Sequence, residues 1–182
     1  MAYVRTVADD EASGVVARIY EGSRKAFGGV FETQRGISLW PEALAMEGRR
    51  YETLMVAPSA LSRGEKELIA IAVSAANRCH YCVRHHVAAA VAAGVARALA
   101  EAVAADHAGA ALDGRTRALL DFAVHPRADR ITRADVEALK AAGIDDREVV
   151  ETALISGLFR DYNFRVSALG LTLEPWFDDG QG

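Results

Sequence analysis

Residues 61–94 read LSRGEKELIAIAVSAANRCHYCVRHHVAAAVAAG, and the punctuation of this stretch decides the fold. Ser62 is a natural helix N-cap, and Glu65, three residues on, completes a capping box. Ile69, Ala72, Val73 and Ala76 then recur at helical spacing as an apolar stripe. Asn77-Arg78 interrupts the pattern. A second helix starts near Cys79 and stops at Gly94, a residue suited to the position just past a helix end. Two helices with so short a break between them predict a helical hairpin.

The same signals continue outward. Asp9 or Asp10 is expected to cap a first helix reaching Phe27, ended by Gly28-Gly29. A looser segment over 30–40 follows, and Pro41 opens a helix running to about Val56. Downstream, Asp113 caps a helix to Val124 that His125-Pro126 stops. Thr132, with Asp135 three residues on, caps another that Gly143 closes. Asp145, with Glu148, caps the last long helix, to about Leu169, and Pro175 bars its continuation. Connections are short and strand signals nearly absent. The expected fold is all-α, one compact helical domain over 1–182 with six to eight helices around the hairpin. Glu67 and Cys79 are twelve residues apart, as are Glu151 and Asn163, a weak internal echo.

Composition bounds the function. The chain has 182 residues, 51% hydrophobic and 25% charged, with a net charge of −4, a globular composition large enough for its own core. It carries no basic run, which argues against nucleic acid or an anionic membrane as partner. The N-terminus lacks the basic and apolar segments of a secretory signal, and no apolar run reaches membrane-spanning length. The reading is a soluble, cytoplasmic protein. Its two cysteines are three residues apart; in a reducing compartment such a pair more often serves redox or metal chemistry than a structural staple.

Cys79, Cys82 and His86 share one helix face, at offsets of three and seven from the first. Alpha carbons at i and i+3 lie about 5–6 Å apart, within reach of a disulfide. A helix start favours a thiolate, because its unpaired N–H groups and dipole attract negative charge. On one straight helix Glu67 would lie about 18 Å from Cys79. A turn near Arg78 instead brings Glu67 and His86 to similar heights, about 16 and 12 Å of rise from the turn. A carboxylate there can hold the imidazole tautomer and raise its basicity, and the histidine can then act as base for Cys82. A zinc reading would use Cys79, Cys82, His86 and His85 or Glu67, but paired-cysteine zinc sites usually need a second ligand pair, and His107 and His125 are isolated. No metal and no cofactor is therefore expected. A thioredoxin arrangement is disfavoured, since no β-branched strand precedes Cys79.

The pattern Glu67, eleven residues, Cys79-His80-Tyr81-Cys82, three residues, His86 resembles the alkylhydroperoxidase D-like family, which shares a superfamily with the carboxymuconolactone decarboxylases. The resemblance is tightest over 61–94; the flanks and the region 163–170 resemble the uncharacterised peroxidase-related branch more loosely. It implies a thiol peroxidase with an antioxidant role, acting on hydrogen peroxide or organic hydroperoxides. The second cysteine, Cys82, attacks peroxide; Cys79 resolves the sulfenic acid into a disulfide; Glu67 and His86 relay protons. It further implies an outside thiol or disulfide reductant protein and a homo-oligomer, for which the aromatics Phe27, Phe31, Trp40, Trp176 and Phe177 are contact candidates. Some family members carry a second histidine just before the attacking cysteine; here that position is Tyr81.

Other readings stand beside this one. The protein could be a disulfide reductase feeding a separate peroxidase, a decarboxylase relative without redox chemistry, or a redox-responsive binding protein without turnover. Glu67 could be a solvated first-turn charge. His80 and His85 read as solvent-facing or interface residues, His107 as a loop residue, and Tyr81 and Asn163 as candidates to line the site.

Overall fold

The computed structural model describes residues 2–125 and 131–177. Among them there are nine α-helices and no strands, the all-α fold that the serial caps predict but more helices than the six to eight expected, because the single turn Glu32–Arg35 and the uncapped helix Arg97–Asp106 carry no start signal. They divide into two compact units, Leu54–Asn163 and Met1–Thr53 with Phe164–Gly182.

The unit Leu54–Asn163 is organised by helix α4, Arg63–Ala76. Ser62 caps it: the Glu65 N–H donates to Ser62 Oγ at 3.3 Å, and Ser62 N–H donates back to Glu65 Oε2 at 2.8 Å. Every residue from Lys66 to Ser74 is buried. The expected stripe is therefore a full circumference, the signature of a helix surrounded by others. Ala76, expected in the stripe, is instead exposed, because it lies in the last turn. Asn77 terminates the helix, and Arg78 takes a left-handed backbone, φ 57°, to reverse the chain. Helix α5, His80–Ala92, runs back along α4 and ends at Gly94, φ 90°, where a side chain would be disfavoured.

Around this hairpin pack α6 (Arg97–Asp106) and α7 (Gly114–Ala123), with α8 (Arg133–Ala141) on α7. Helix α9, Asp146–Leu169, supplies its length through Asn163 to this unit. Asp113 caps α7, accepting the Thr116 N–H at 2.8 Å, and Asp145 and Glu148 form a reciprocal box at the start of α9. Thr132 donates its N–H to Asp135 at the start of α8, at 2.7 Å. Arg115 ties two of these boxes together, holding Glu65 at 2.8 Å and Glu148 at 2.6 Å. His125 follows α7 as expected; Pro126 lies outside the described residues.

In the other unit, α1 (Gly14–Phe27) and α3 (Pro41–Tyr51) pack around Val16, Tyr20, Val30 and Leu44, with the single turn α2 (Glu32–Arg35) between them. A π-helical turn, Glu52–Val56, follows α3. The first helix starts later than expected, after Ser13. The carboxylate of Asp9 does not cap it; it pairs with Arg24 at 2.9 Å and Arg35 at 2.7 Å. Phe31 packs edge-on against Phe27 and Trp176, whereas Trp40 stands largely exposed.

Arg78 generates a direct test. A left-handed backbone costs a non-glycine residue about 1–2 kcal/mol, and glycine's extra unfolded-state freedom costs about 0.5–1 kcal/mol. Arg78→Gly is expected to raise stability by up to about 1 kcal/mol, and β-branched Arg78→Ile to lower it. Thermal unfolding of the two variants checks the order.

Candidate functional site

Glu67 is 0% exposed, on the buried middle of α4. Its reading as a solvated charge is thereby excluded. Its two oxygens are used separately. Oε1 accepts from Arg63 Nε at 2.6 Å, one helical turn back on α4, and Oε2 lies 2.6 Å from His86 Nδ1 on α5. Arg63 is held in turn by the Met55 carbonyl at 2.9 Å. The hairpin thus brings Glu67 and His86 together, as the residue counts either side of Arg78 require. A carboxylate only accepts, so in this contact Nδ1 carries the proton and Nε2 is the basic nitrogen. The imidazole is fixed from its edge by Phe159 of α9, ring centroids 4.5 Å apart at 82°.

Cys79 and Cys82 are both buried, 7% and 3% exposed, and both are free thiols. Cys79 is the N-cap of α5, and its N–H donates to the Ser74 carbonyl at 2.9 Å. This bond anchors the start of α5 to the last turns of α4. Cys82 follows in the first turn.

The two sulfurs titrate as one system. The neighbouring Cys82 thiol, foremost, draws Cys79 down to about 7; burial opposes this, while the Cys82 backbone N–H, Asn163 and the charge of His86 assist. Cys82 is pushed up, first by its hydrogen bond with Cys79, then by burial and by the charge of a Cys79 anion. One thiolate forms near neutrality and its neighbour keeps its proton. The hydrogen bonds that Cys79 receives, from the Cys82 thiol first and from the Cys82 N–H and Asn163, place that charge on Cys79.

Two buried polar groups here, Ser74 and Lys66, have no distinctive sequence signal; Asn163, a candidate to line the site, joins them. Ser74 is fully buried within an apolar helix, and Asn163 of α9 donates to its hydroxyl at 3.0 Å. Asn163 also reaches both sulfurs, and Ser74 reaches that of Cys82. Lys66 is 2% exposed, with Nζ donating to the Ala57 carbonyl at 2.9 Å; burial lowers its ammonium pKa against the pull of Glu151. The echo of Glu67 and Cys79 in Glu151 and Asn163 extends to a second pair of arginines, since Arg147 Nε binds Glu151 Oε1 at 2.7 Å as Arg63 binds Glu67. Glu151 serves a different end: it accepts from Ser59, Ala60 and Leu61, just before the Ser62 cap.

Of the remaining candidates, Tyr81 is buried, with its ring 4.5 Å from that of the half-buried His85. His80 is exposed, and His107 follows α6 and pairs with Asp121 at 3.3 Å. Among the described residues no group of three or more His, Cys, Asp or Glu side chains is arranged to hold a metal ion, and no helix is long and apolar enough to cross a membrane.

Residues 43–125 match the carboxymuconolactone decarboxylase family. An uncharacterized peroxidase-related protein from Silicibacter sp. TM1040 is 30% identical, with a TM-score of 0.86 over 97% of this chain and 95% of that one. A second uncharacterized peroxidase-related protein, an alkylhydroperoxidase AhpD core from Ralstonia eutropha JMP134, is 25% identical, with a TM-score of 0.89 over 96% and 93%. The debrominase Bmp8, in complex with 2,3,4-tribromopyrrole, shares the fold at 17% identity, with a TM-score of 0.79 over 95% and 92%. No curated protein matches the chain.

Only the thiolate alkylates readily, so reactivity must rise with pH through the lower of the two ionisations. Iodoacetamide alkylation of the reduced protein is expected to show a midpoint at about 7, with Cys79 modified first by peptide mapping. A midpoint in the range of an ordinary thiol, about 8.5, or first modification at Cys82, would contradict this reading of the site.

Proposed function

We propose, from the match of residues 43–125 to the carboxymuconolactone decarboxylase family and the likeness to a 30% identical peroxidase-related protein, that the chain is a thiol peroxidase that reduces hydroperoxides through a Cys79/Cys82 dithiol–disulfide cycle. One observation carries the reading. Two free, buried cysteines occupy the first turn of α5, and the same helix holds His86 against a buried glutamate. The two peroxidase-related neighbours support an antioxidant role.

In the proposed cycle the pair gives one proton to His86 and the proton that remains passes from Cys82 to Cys79, so that the Cys82 sulfur attacks the terminal peroxide oxygen as thiolate. The O–O bond breaks, and the leaving alkoxide or hydroxide takes a proton from the His86 imidazolium. Cys82 becomes a sulfenic acid. Cys79 then attacks that sulfur, the S–S bond forms, the S–O bond breaks, and water leaves. An external dithiol supplies two electrons to restore the pair. Glu67 faces the imidazole throughout and stabilises its charged form. A second assignment, with Cys79 attacking, is favoured by the lower ionisation of Cys79. That assignment also suits a disulfide reductase, in which Cys79 attacks a partner's disulfide and Cys82 resolves the mixed disulfide.

Single-cysteine variants separate these. With Cys82 attacking, Cys82→Ser does not react with peroxide, while Cys79→Ser reacts once and is trapped by dimedone as the sulfenic acid. With Cys79 attacking, the two variants exchange behaviour. If neither variant consumes peroxide or takes the label, the peroxidase reading fails, and reduction of a disulfide substrate by the wild type becomes the test of the alternative. Glu67→Gln is expected to slow the first step by about 10²–10⁴-fold, the usual worth of acid–base assistance.

A further inference from the structure

We propose that Ser74 and Asn163 form a hydrogen-bond donor relay to the sulfur anion of the Cys79–Cys82 pair, with Asn77 as the positioning residue that aims it. The proposal rests on the dithiol reading above, and goes beyond it by assigning the anion's partners.

The geometry starts at the break between α4 and α5. Asn77, exposed at the end of α4, donates from Nδ2 to Asn163 Oδ1 at 2.9 Å. With its oxygen engaged there, the Asn163 carboxamide turns its nitrogen inward, where Nδ2 donates to Ser74 Oγ at 3.0 Å. The Ser74 hydroxyl, having accepted this bond, has its own proton to give, and Cys82 is within its reach. Asn163 Nδ2 keeps a second proton, and Asn163 stands within hydrogen-bonding reach of both sulfurs. The opposite carboxamide orientation would aim Oδ1 at the pair, setting one acceptor against an anion that donates nothing. Ser74 and Asn163 are 0% and 5% exposed, so water competes little for these donors. A buried polar group must spend its hydrogen bonds on something; here they converge on the sulfurs. The Cys79 N–H bond to the Ser74 carbonyl locks the two elements in register, so that the hydroxyl and the sulfurs stay together.

A donor to a thiolate stabilises the anion over the neutral thiol, so removing it must reduce the anion at a given pH. Ser74→Ala removes the donor to Cys82 and the acceptor that holds Asn163 towards both sulfurs, and is expected to lower the thiolate fraction at neutral pH by about tenfold, the equivalent of one pKa unit. Alkylation at pH 7 slows in proportion, while rates at high pH converge with the wild type. Ser74→Thr, which keeps a hydroxyl, restores the profile. Asn77→Ala touches neither sulfur and lies at the surface; it is expected to shift the profile in the same direction by a smaller amount. Ultraviolet titration of the thiolate in the reduced full chain reads all three. Titrations of Ser74→Ala and Asn77→Ala that superimpose on the wild type would overturn the relay. Should Ser74→Ala not fold, an unshifted Asn77→Ala alone overturns it. The titration contains no peroxide. A shifted profile without peroxide turnover keeps the relay and removes the peroxidase reading, and turnover with unshifted profiles does the reverse.

Discussion

A carboxylate with no exposure at all, Glu67, is the constraint on which the hairpin unit depends. Leaving such a charge buried and alone costs several kcal/mol. The chain therefore has to bring a partner to each oxygen. Arg63 arrives from one turn earlier on the same helix, and His86 arrives from α5. The second contact fixes the register of α5 against α4 and so sets where the first turn of α5 begins. The cysteines occupy that turn, and their neighbours Ser74 and Asn163 lie where α4 ends and α9 passes. One ionic clasp thus orders the imidazole and, through the start of α5, the two thiols.

The arrangement also explains why a helix as apolar as α4 carries Lys66, Glu67 and Ser74 in its buried segment. Each has a partner at hydrogen-bond distance: the Ala57 carbonyl, the Arg63 and His86 pair, and the Asn163 carboxamide. Buried polar groups that are fully partnered specify one packing, because any slip leaves them unmatched. Arg115 does the same at the far ends of the helices by joining the acids of two capping boxes.

Much of this was legible in the chain itself. Ser62, Asp113, Thr132 and Asp145 announce their helices because their side chains satisfy local N–H groups, a short-range rule that sequence states openly. Glu67 and His86 were readable because the hairpin equates their distances from Arg78. Helix α6 was not foreseen: it starts after Ala96, which has no capping side chain, in an alanine-rich run without a clear period. Asp9 misled because its carboxylate serves Arg24 and Arg35 rather than a helix start. Asn163 was only a weak candidate, since its approach to the sulfurs depends on how α9 packs, and no local pattern encodes that. The lower ionisation of Cys79 likewise emerges only when both thiols are seen to be buried side by side.

Whether the two sulfurs act together as a redox pair is most directly measured by intact mass. The reduced wild-type chain, given one equivalent of hydroperoxide and analysed without reductant, should be lighter by two hydrogens, carry one disulfide joining Cys79 to Cys82, and return to its starting mass with a dithiol. An unchanged mass with both thiols still free, or oxygen added without a disulfide, would contradict the account.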